Sequence, residues 1–192
     1  MKLRLASLLA AVTLGFSTTF AFAAAPEDTL VIKLKDGDVT IALRPDIAPK
    51  HVAQIKALAK KGFYDGVVFH RVIDGFMAQT GDGQYGDSDG NYDPNAAGTG
   101  GSDLPNIPAE FSSEPFVRGT VGMARAQDPN SANSQFFIMF APGDSLNGQY
   151  TVVGNVESGM ELIDHIKKGD QNNNGSVADP DKMISVKLAS DK

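Results

Sequence analysis

The chain has 192 residues, 42% of them hydrophobic, which is enough for one globular domain with a substantial apolar core. It contains no cysteine, which excludes disulfides, a thiol nucleophile and a lipoprotein anchor. The net charge of −6, without any basic run, argues against nucleic acid and anionic membranes as partners.

The N-terminal segment has the layout of a secretory signal peptide. Lys2 and Arg4 form a basic start, and a mostly apolar run follows over residues 5–22. The small-x-small pattern favours a signal peptide over residues 1–23, with cleavage after Ala25 as the alternative. An uncleaved membrane anchor is disfavoured because the run is short for a span and contains glycine, serine and threonine. We therefore expect one domain over residues 24–192, located in the periplasm and without membrane contact after cleavage.

Two strands and a helix are predicted next. Apolar and polar residues alternate over 29–34 and again over 39–43, with a hairpin turn between them. Pro49 suits the first position of a helix whose apolar residues recur at helical spacing until Gly62. A helix of about three turns is not stable alone, so we expect it to pack on a sheet.

The stretch Phe69–Asp82 is typical of a hairpin that gathers a cation, an amide and two large apolar side chains. Met77 and Gln79 share one face of the returning strand, with Phe76 beside them and Arg71 within reach from the partner strand. Such a patch suits a neutral polar ligand such as a peptide. The alternative is that the apolar residues are core and the arginine is a solvated edge residue with a buried stem.

The second half of the chain predicts further short elements. Residues 83–103 are dense in glycine, aspartate and asparagine without periodicity, which indicates a loop. Short strands are predicted over residues 116–123, 135–140, 150–156 and 183–188, and a second short amphipathic helix over residues 160–166. Many short strands with two isolated helices favour a closed barrel with helices over its ends, although these patterns alone do not distinguish a barrel from a sandwich.

Residues 170–181 follow the pattern of an EF-hand calcium loop. The predicted ligands are Asp170, Asn172, Asn174 and Asp181. The segment departs from the pattern in ending on aspartate rather than glutamate, with proline before it and a strand after it. The alternative, which we favour, is a polar turn in which asparagine and glycine adopt positive φ.

Two longer motifs carry a resemblance to a known family. The two motifs are FHRVIDGFMAQTGD at 69–82 and SQFFI at 134–138; GTGG at 98–101 lies between them and LNG at 146–148 after them, in family order. Together these segments resemble the cyclophilin family of peptidyl-prolyl isomerases. The resemblance covers roughly residues 29–188 and looks like the bacterial branch.

The resemblance implies a mainly β fold, a closed eight-stranded antiparallel barrel capped by two short α-helices. It implies an enzyme that isomerises X-Pro bonds without a cofactor, acts as a monomer and takes proline-containing segments of exported proteins as partners. Compared with the common eukaryotic form, residues 83–97 look like an insertion, for which the sequence indicates no specific function.

The resemblance also implies site roles. The predicted catalytic residues are Arg71 and Gln79, and the predicted substrate-binding residues are Phe76, Met77, Ala124, Arg125, Ala126, Gln135, Phe137, Leu146 and Tyr150. The apolar side chains would hold the proline ring, the two glutamines would bond the substrate backbone, and the two alanines would line the groove.

Three positions depart from the commonest family pattern. Arg125 stands where many members have asparagine, Ser145 where some have tryptophan, and Tyr150 where some have histidine. Because Ser145 removes a large indole from the rim, we expect weaker cyclosporin binding than in the tryptophan-containing members, with catalysis retained.

The three histidines are not expected to be catalytic. His51 and His165 lie on predicted helices and are expected to be solvated, whereas His70 is expected to face the interior as a hydrogen-bonded structural residue. Two other functions stay open at this point. One is a non-catalytic chaperone or assembly module that binds proline-containing segments, and the other is an acidic calcium-binding structural domain.

Overall fold

A computed structural model describes residues 24–191, so the predicted signal peptide over residues 1–23 lies outside the described residues. The strands are β1 (Thr29–Leu34), β2 (Gly37–Leu43), β3 (Arg71–Ile73), β4 (Met77–Thr80), β5 (Thr120–Met123), β6 (Phe136–Met139), β7 (Val152–Ser158) and β8 (Ser185–Leu188). The α-helices are α1 (Pro49–Lys60) and α2 (Met160–Asp164), and short 3-10 helices span Pro26–Asp28, Asp144–Leu146 and Gln171–Asn173. Within the described range, no helix is long and apolar enough to cross a bilayer.

All eight strands belong to one antiparallel sheet in the order β3-β4-β6-β5-β7-β2-β1-β8. The sheet curls, and the gap between β3 and β8 is bridged by backbone hydrogen bonds from the segments beside these strands. The N–H of Phe69 donates to the carbonyl of Asp181 at 2.9 Å, and the N–H of Val72 donates to that of Gly175 at 2.8 Å. The predicted mainly β fold with eight antiparallel strands and two helices is confirmed, and the bridging segments replace a continuous closed ladder.

Helix α1 packs on the sheet as its periodicity predicts. Pro49 occupies its first turn, and the apolar residues Val52, Ile55 and Leu58 are buried in the main core. The residue before the helix, Ala48, supplies no side-chain cap. The orphan N–H groups of the first turn are instead satisfied by a carboxylate from a distant loop.

That carboxylate explains why one histidine prediction is wrong. Glu110 accepts hydrogen bonds from the N–H groups of Lys50 and His51, both at 3.1 Å, and its Oε2 lies 2.7 Å from Nδ1 of His51. His51 is therefore fully buried rather than solvated. Burial lowers the pKa of His51, and the adjacent Glu110 carboxylate partly offsets this effect. His165 is exposed, as expected.

The inserted loop, residues 83–97, is closed by one buried side chain. The Asp82 carboxylate accepts two backbone N–H groups at the start of the loop, both at 3.0 Å. Its second oxygen accepts the N–H groups of Gly98, at 2.7 Å, and Gly100, at 2.9 Å, just after the loop. Both ends of the loop are thus held at one point, and the glycine turn that follows is fixed against the sheet.

Candidate active site

The predicted catalytic pair meets across the β3–β4 hairpin. The strand register places Arg71 directly opposite Gln79, and Nη1 of Arg71 donates to Oε1 of Gln79 at 3.2 Å. Nε2 of Gln79 donates in turn to Oε1 of Gln135 at 2.9 Å. Nε2 of Gln135 donates to the carbonyls of Gly98, at 3.0 Å, and Gly100, at 2.8 Å. The cation is therefore linked through two amide side chains to the backbone of the glycine turn.

A second anchor for Arg71 was missed by the sequence analysis. Nε of Arg71 donates to the carbonyl oxygen of Asn174, and Nη2 donates to its side-chain Oδ1, both at 3.0 Å. Asn174 holds a left-handed conformation with φ of 50° in the turn before β8. Partial burial lowers the pKa of Arg71, but a guanidinium titrates so far above neutrality that it stays a cation.

Nine of the eleven predicted site residues line one recess of about 200 Å³, termed here the apolar pocket. They are Arg71, Phe76, Met77, Gln79, Ala124, Arg125, Phe137, Leu146 and Tyr150. The other two, Ala126 and Gln135, line an adjoining groove of about 240 Å³ that shares Gln79, Ala124 and Arg125 with the pocket. The structure therefore brings every predicted catalytic and substrate-binding residue into two adjoining recesses.

The pocket wall belongs to an apolar cluster separate from the main core. Phe137 stacks on Phe116 with ring centroids 5.7 Å apart, and it makes a T-shaped contact with Tyr150 with centroids 5.8 Å apart. The sequence pattern predicts a strand from Phe116, whereas β5 begins at Thr120. The N–H of Phe116 donates to Oδ1 of Asn147 at 2.7 Å instead of joining the sheet, so the ring supports the pocket from a loop.

Arg125 forms the boundary between the pocket and the groove. Its guanidinium carbon lies 4.4 Å from the centroid of the Tyr150 ring, a cation–π contact. Its Nη atoms donate to the carbonyls of Ala126, at 2.8 Å, Gln127, at 3.2 Å, and Gln149, at 3.0 Å. The side chain thus joins the groove wall to the turn that carries Tyr150. Ser145, the other departure from the family pattern, is exposed on the 3-10 helix that carries Leu146.

The predicted calcium ligands do not form a common ligand set. Asp170 accepts the N–H of Asn172 at 2.8 Å, whereas Asn174 is bonded to Arg71. Asp181 accepts Nζ of Lys35 at 2.7 Å and a backbone N–H at 2.9 Å. Across residues 24–191, no group of three or more His, Cys, Asp or Glu side chains is placed to hold a metal ion. The alternative, a polar turn with positive φ at Asn174, describes this segment.

His70 faces the interior as predicted, but it is not hydrogen-bonded within the described residues. Its side chain is 7% exposed, and neither ring nitrogen has a partner there. Burial lowers its pKa to about 4, so the ring is neutral at physiological pH.

Residues 29–188 match the family model described as cyclophilin type peptidyl-prolyl cis-trans isomerase/CLD. The chain is 61% identical over 186 residues to a probable peptidyl-prolyl cis-trans isomerase of Brucella suis, a match that covers 97% of this chain and 94% of that protein. It is 39% identical over 140 residues to peptidyl-prolyl cis-trans isomerase B of Bacillus subtilis, which covers 71% of this chain and 89% of that protein.

Solved structures agree with this match. A cyclophilin from Hirschia baltica superimposes with a TM-score of 0.71 at 27% identity, covering 88% of this chain and 76% of the other. A cyclophilin type peptidyl-prolyl cis-trans isomerase from Cryptosporidium parvum, solved in the presence of the dipeptide Ala-Pro, gives 0.70 at 26% identity, covering 83% and 98%. The fold, the gathered motif residues and these matches lead to one conclusion: the chain belongs to the cyclophilin family and is a peptidyl-prolyl cis-trans isomerase.

Proposed function

We propose that this isomerase acts in the periplasm on X-Pro bonds of exported proteins, with Arg71 as its catalytic donor. The proposed periplasmic location rests on the N-terminal sequence, which has a basic start, an apolar run and a small-x-small site before residue 24. The fold adds one supporting contact, because the nitrogen of Ala24 lies 3.4 Å from Oε1 of Glu157. Cleavage after Ala23 would place a new α-amino group beside that carboxylate.

The isomerisation requires little of the protein beyond the positioning of one hydrogen-bond donor at the proline nitrogen. The barrier to rotation about a peptide bond is about 18–20 kcal/mol and comes from amide resonance. In the twisted transition state the proline nitrogen gains a lone pair, so a donor aimed at it binds this state better than either planar state. A thousandfold acceleration requires about 4 kcal/mol of differential stabilisation. One hydrogen bond to a charged group supplies about 1.5–3 kcal/mol of that.

The observation that carries the assignment is that one anchored cation shares the apolar pocket with Phe137. Gln79 and Asn174 hold the Arg71 guanidinium from two sides, so little reorganisation is needed when the substrate twists. The pocket, with its aromatic wall, suits a proline ring. Gln79 and Gln135, already linked to each other, offer amide groups to the substrate backbone.

Exchange spectroscopy on a short X-Pro peptide tests this assignment. We expect Arg71→Ala to lower kcat/KM by about a hundredfold or more, the usual effect of removing one transition-state donor. Arg71→Lys, which keeps the charge but not the planar fork, should restore only part of the rate. Arg118→Ala is the matched control, because Arg118 is an exposed arginine paired with Asp164 and does not line the pocket. Full activity of Arg71→Ala would contradict the assignment.

Fractionation of cells that express the full chain tests the location. We expect the protein in the periplasmic fraction, with intact mass showing an N-terminus at Ala24, whereas a chain without residues 2–23 should stay in the cytoplasm. Retention of the full-length, uncleaved chain in the cytoplasm would contradict the periplasmic proposal and leave the isomerase activity untouched.

A further inference from the structure

A third recess adjoins the apolar pocket and the groove and is termed here the flanking recess. Its volume is about 420 Å³, against about 200 Å³ for the apolar pocket. It shares Arg71 and Gln79 with the pocket, and Gly98 and Thr99 with the groove. One wall is the end of the inserted loop, and the other is the turn over residues 173–176. The roles that the family motifs imply do not account for this space.

The lining of the flanking recess is polar and offers unused donors. Arg71 is its cation, and among the described residues that line it there is neither aspartate nor glutamate. The side chains of Asn95 and Ser176, one on each wall, make no hydrogen bond within residues 24–191. A ligand oxygen that enters the recess therefore meets a guanidinium and neutral donors from two sides.

The nearest carboxylates in sequence are engaged elsewhere. Asp93 accepts the N–H of Asn95 at 2.9 Å, and Asp170 accepts that of Asn172 at 2.8 Å. Asp82 is buried and accepts backbone N–H groups of the glycine turn. None of these three residues lines the recess, so Arg71 is the one charged side chain among its described lining residues, while the Asp82 carboxylate lies beside Gly98, to whose N–H it is bonded. An ammonium group would be repelled there, whereas a carboxylate or amide oxygen would be attracted.

A buried, unpartnered imidazole also borders the flanking recess. His70 is its most buried lining residue, and its two ring nitrogens have no hydrogen-bond partner among the described residues. Both nitrogens are buried, so His70 contributes to the recess as a neutral part of its wall. Gly98 packs directly against the ring, because a Cβ there would lie 2.9 Å from Cδ2 and 3.0 Å from Nε2 of His70. With φ of +97°, position 98 also disfavours any other residue.

We propose that the flanking recess is a subsite for an acidic or amide side chain of a residue next to the substrate proline. The proposal rests on the placement of the proline ring in the apolar pocket, because the two recesses share Arg71 and Gln79. It assigns a role to the end of the inserted loop, which supplies Asn95 to the recess. Sequence preference around the proline thus depends on the same cation that performs the chemistry.

A peptide panel provides the first test. In a host peptide with alanine on both sides of X-Pro, each of the two positions before and after proline is replaced in turn by Glu, Gln or Lys. We expect one position at which Glu and Gln exceed Lys in kcat/KM by about fivefold or more, the worth of one net hydrogen bond. Equal rates for all three side chains at every position would overturn the proposal. Turnover of the alanine host that depends on Arg71 shows in the same experiment that the isomerase assignment holds.

Charge-reversing variants provide the second test. Asn95→Asp and Ser176→Asp each place a carboxylate in a wall of the flanking recess, so in each variant the ratio of kcat/KM for the Glu peptide to kcat/KM for the Lys peptide should fall. Asn91→Asp is the matched control, because it adds the same charge to the same loop outside the recess. It should keep the wild-type preference. An unchanged preference for Glu in both wall variants would overturn the proposal.

Discussion

Removal of the hydrogen bond from Arg71 to the side chain of Asn174 tests how far catalysis depends on a fixed guanidinium. Asn174→Gly removes the Oδ1 acceptor, 3.0 Å from Nη2, and keeps the backbone carbonyl, 3.0 Å from Nε. Since glycine adopts the left-handed φ of 50° without strain, the turn should keep its shape. The substitution therefore loosens one side of the cation and changes little else.

The expected magnitude follows from one charge-assisted hydrogen bond. Such bonds are worth about 1.5–3 kcal/mol, and the lower end applies because Asn174 is exposed. A loss of about 1.5 kcal/mol in transition-state stabilisation lowers kcat about tenfold. KM should change little, because the pocket that holds the proline does not contain Asn174. The free energy of unfolding should change by less than about 1 kcal/mol.

The assay is exchange spectroscopy over a range of peptide concentrations, which separates kcat from KM. Asp179→Gly is the matched control, because Asp179 is also exposed, has a positive φ of 53° and does not line the apolar pocket. In the Arg71→Ala background, Asn174→Gly should have no further effect, because its partner is gone. A wild-type kcat for Asn174→Gly, or an equal loss in the Arg71→Ala background, would refute the positioning role.

Three further outcomes follow from the structure. In Gly122→Ala the new Cβ would lie 2.5 Å from Phe116 and 2.6 Å from Phe137, so urea titration should show a loss of about 1–3 kcal/mol, and peptide binding should weaken. The pKa of His70 is about 4 in the folded state and 6.5 when unfolded, so the unfolded chain protonates first as the pH falls. The free energy of unfolding should decline by up to about 3 kcal/mol between pH 6.5 and 4, and unfolding curves of His70→Gln should lack this part of the slope. Ser145→Trp should tighten cyclosporin binding about tenfold by adding apolar area at the rim, and equal inhibition of both proteins would speak against that reasoning.

Most of the apolar pocket was predictable because its residues follow from local rules. Strand parity places Met77 and Gln79 on one face, and the short hairpin places Arg71 opposite Gln79, so a single stretch of sequence contains the pair and its wall. The second motif joins through β6, whose register aligns Phe137 with Gln79. Helix α1 was equally local, since its apolar spacing and Pro49 predict both its face and its start.

The errors lie where a distant residue decides the outcome. A histidine in the first turn of a helix is predicted to be solvated. In the structure, the carboxylate of Glu110, 59 residues away, bonds His51, and the residue is buried. The local pattern around Asn174 predicts a calcium ligand or a turn residue. Its partner Arg71 is 103 residues away, so the local pattern gives no indication of the bond between them. Neither contact leaves a periodic signal in the sequence. The backbone bonds that join the β3 edge to the segments before β8 are equally distant in sequence, since Val72 bonds Gly175 and Phe69 bonds Asp181.

The Asp82 carboxylate allows the inserted loop to vary in sequence and length, because it holds both ends of the loop in place. Because one side chain bonds backbone N–H groups at both ends of the loop, part of the cost of closing the loop is met at its base. Gly86 and Ser88 also hold the loop to the chain before β3, because Gly86 accepts the N–H of Val68 and Ser88 donates its N–H to Gly66. The stretch over residues 90–95 is therefore the part that is free to change in length and sequence without disturbing β4 or the glycine turn beside Gln135. A lineage of such isomerases can diversify its choice of substrate there while the catalytic cation and the proline-binding wall stay fixed.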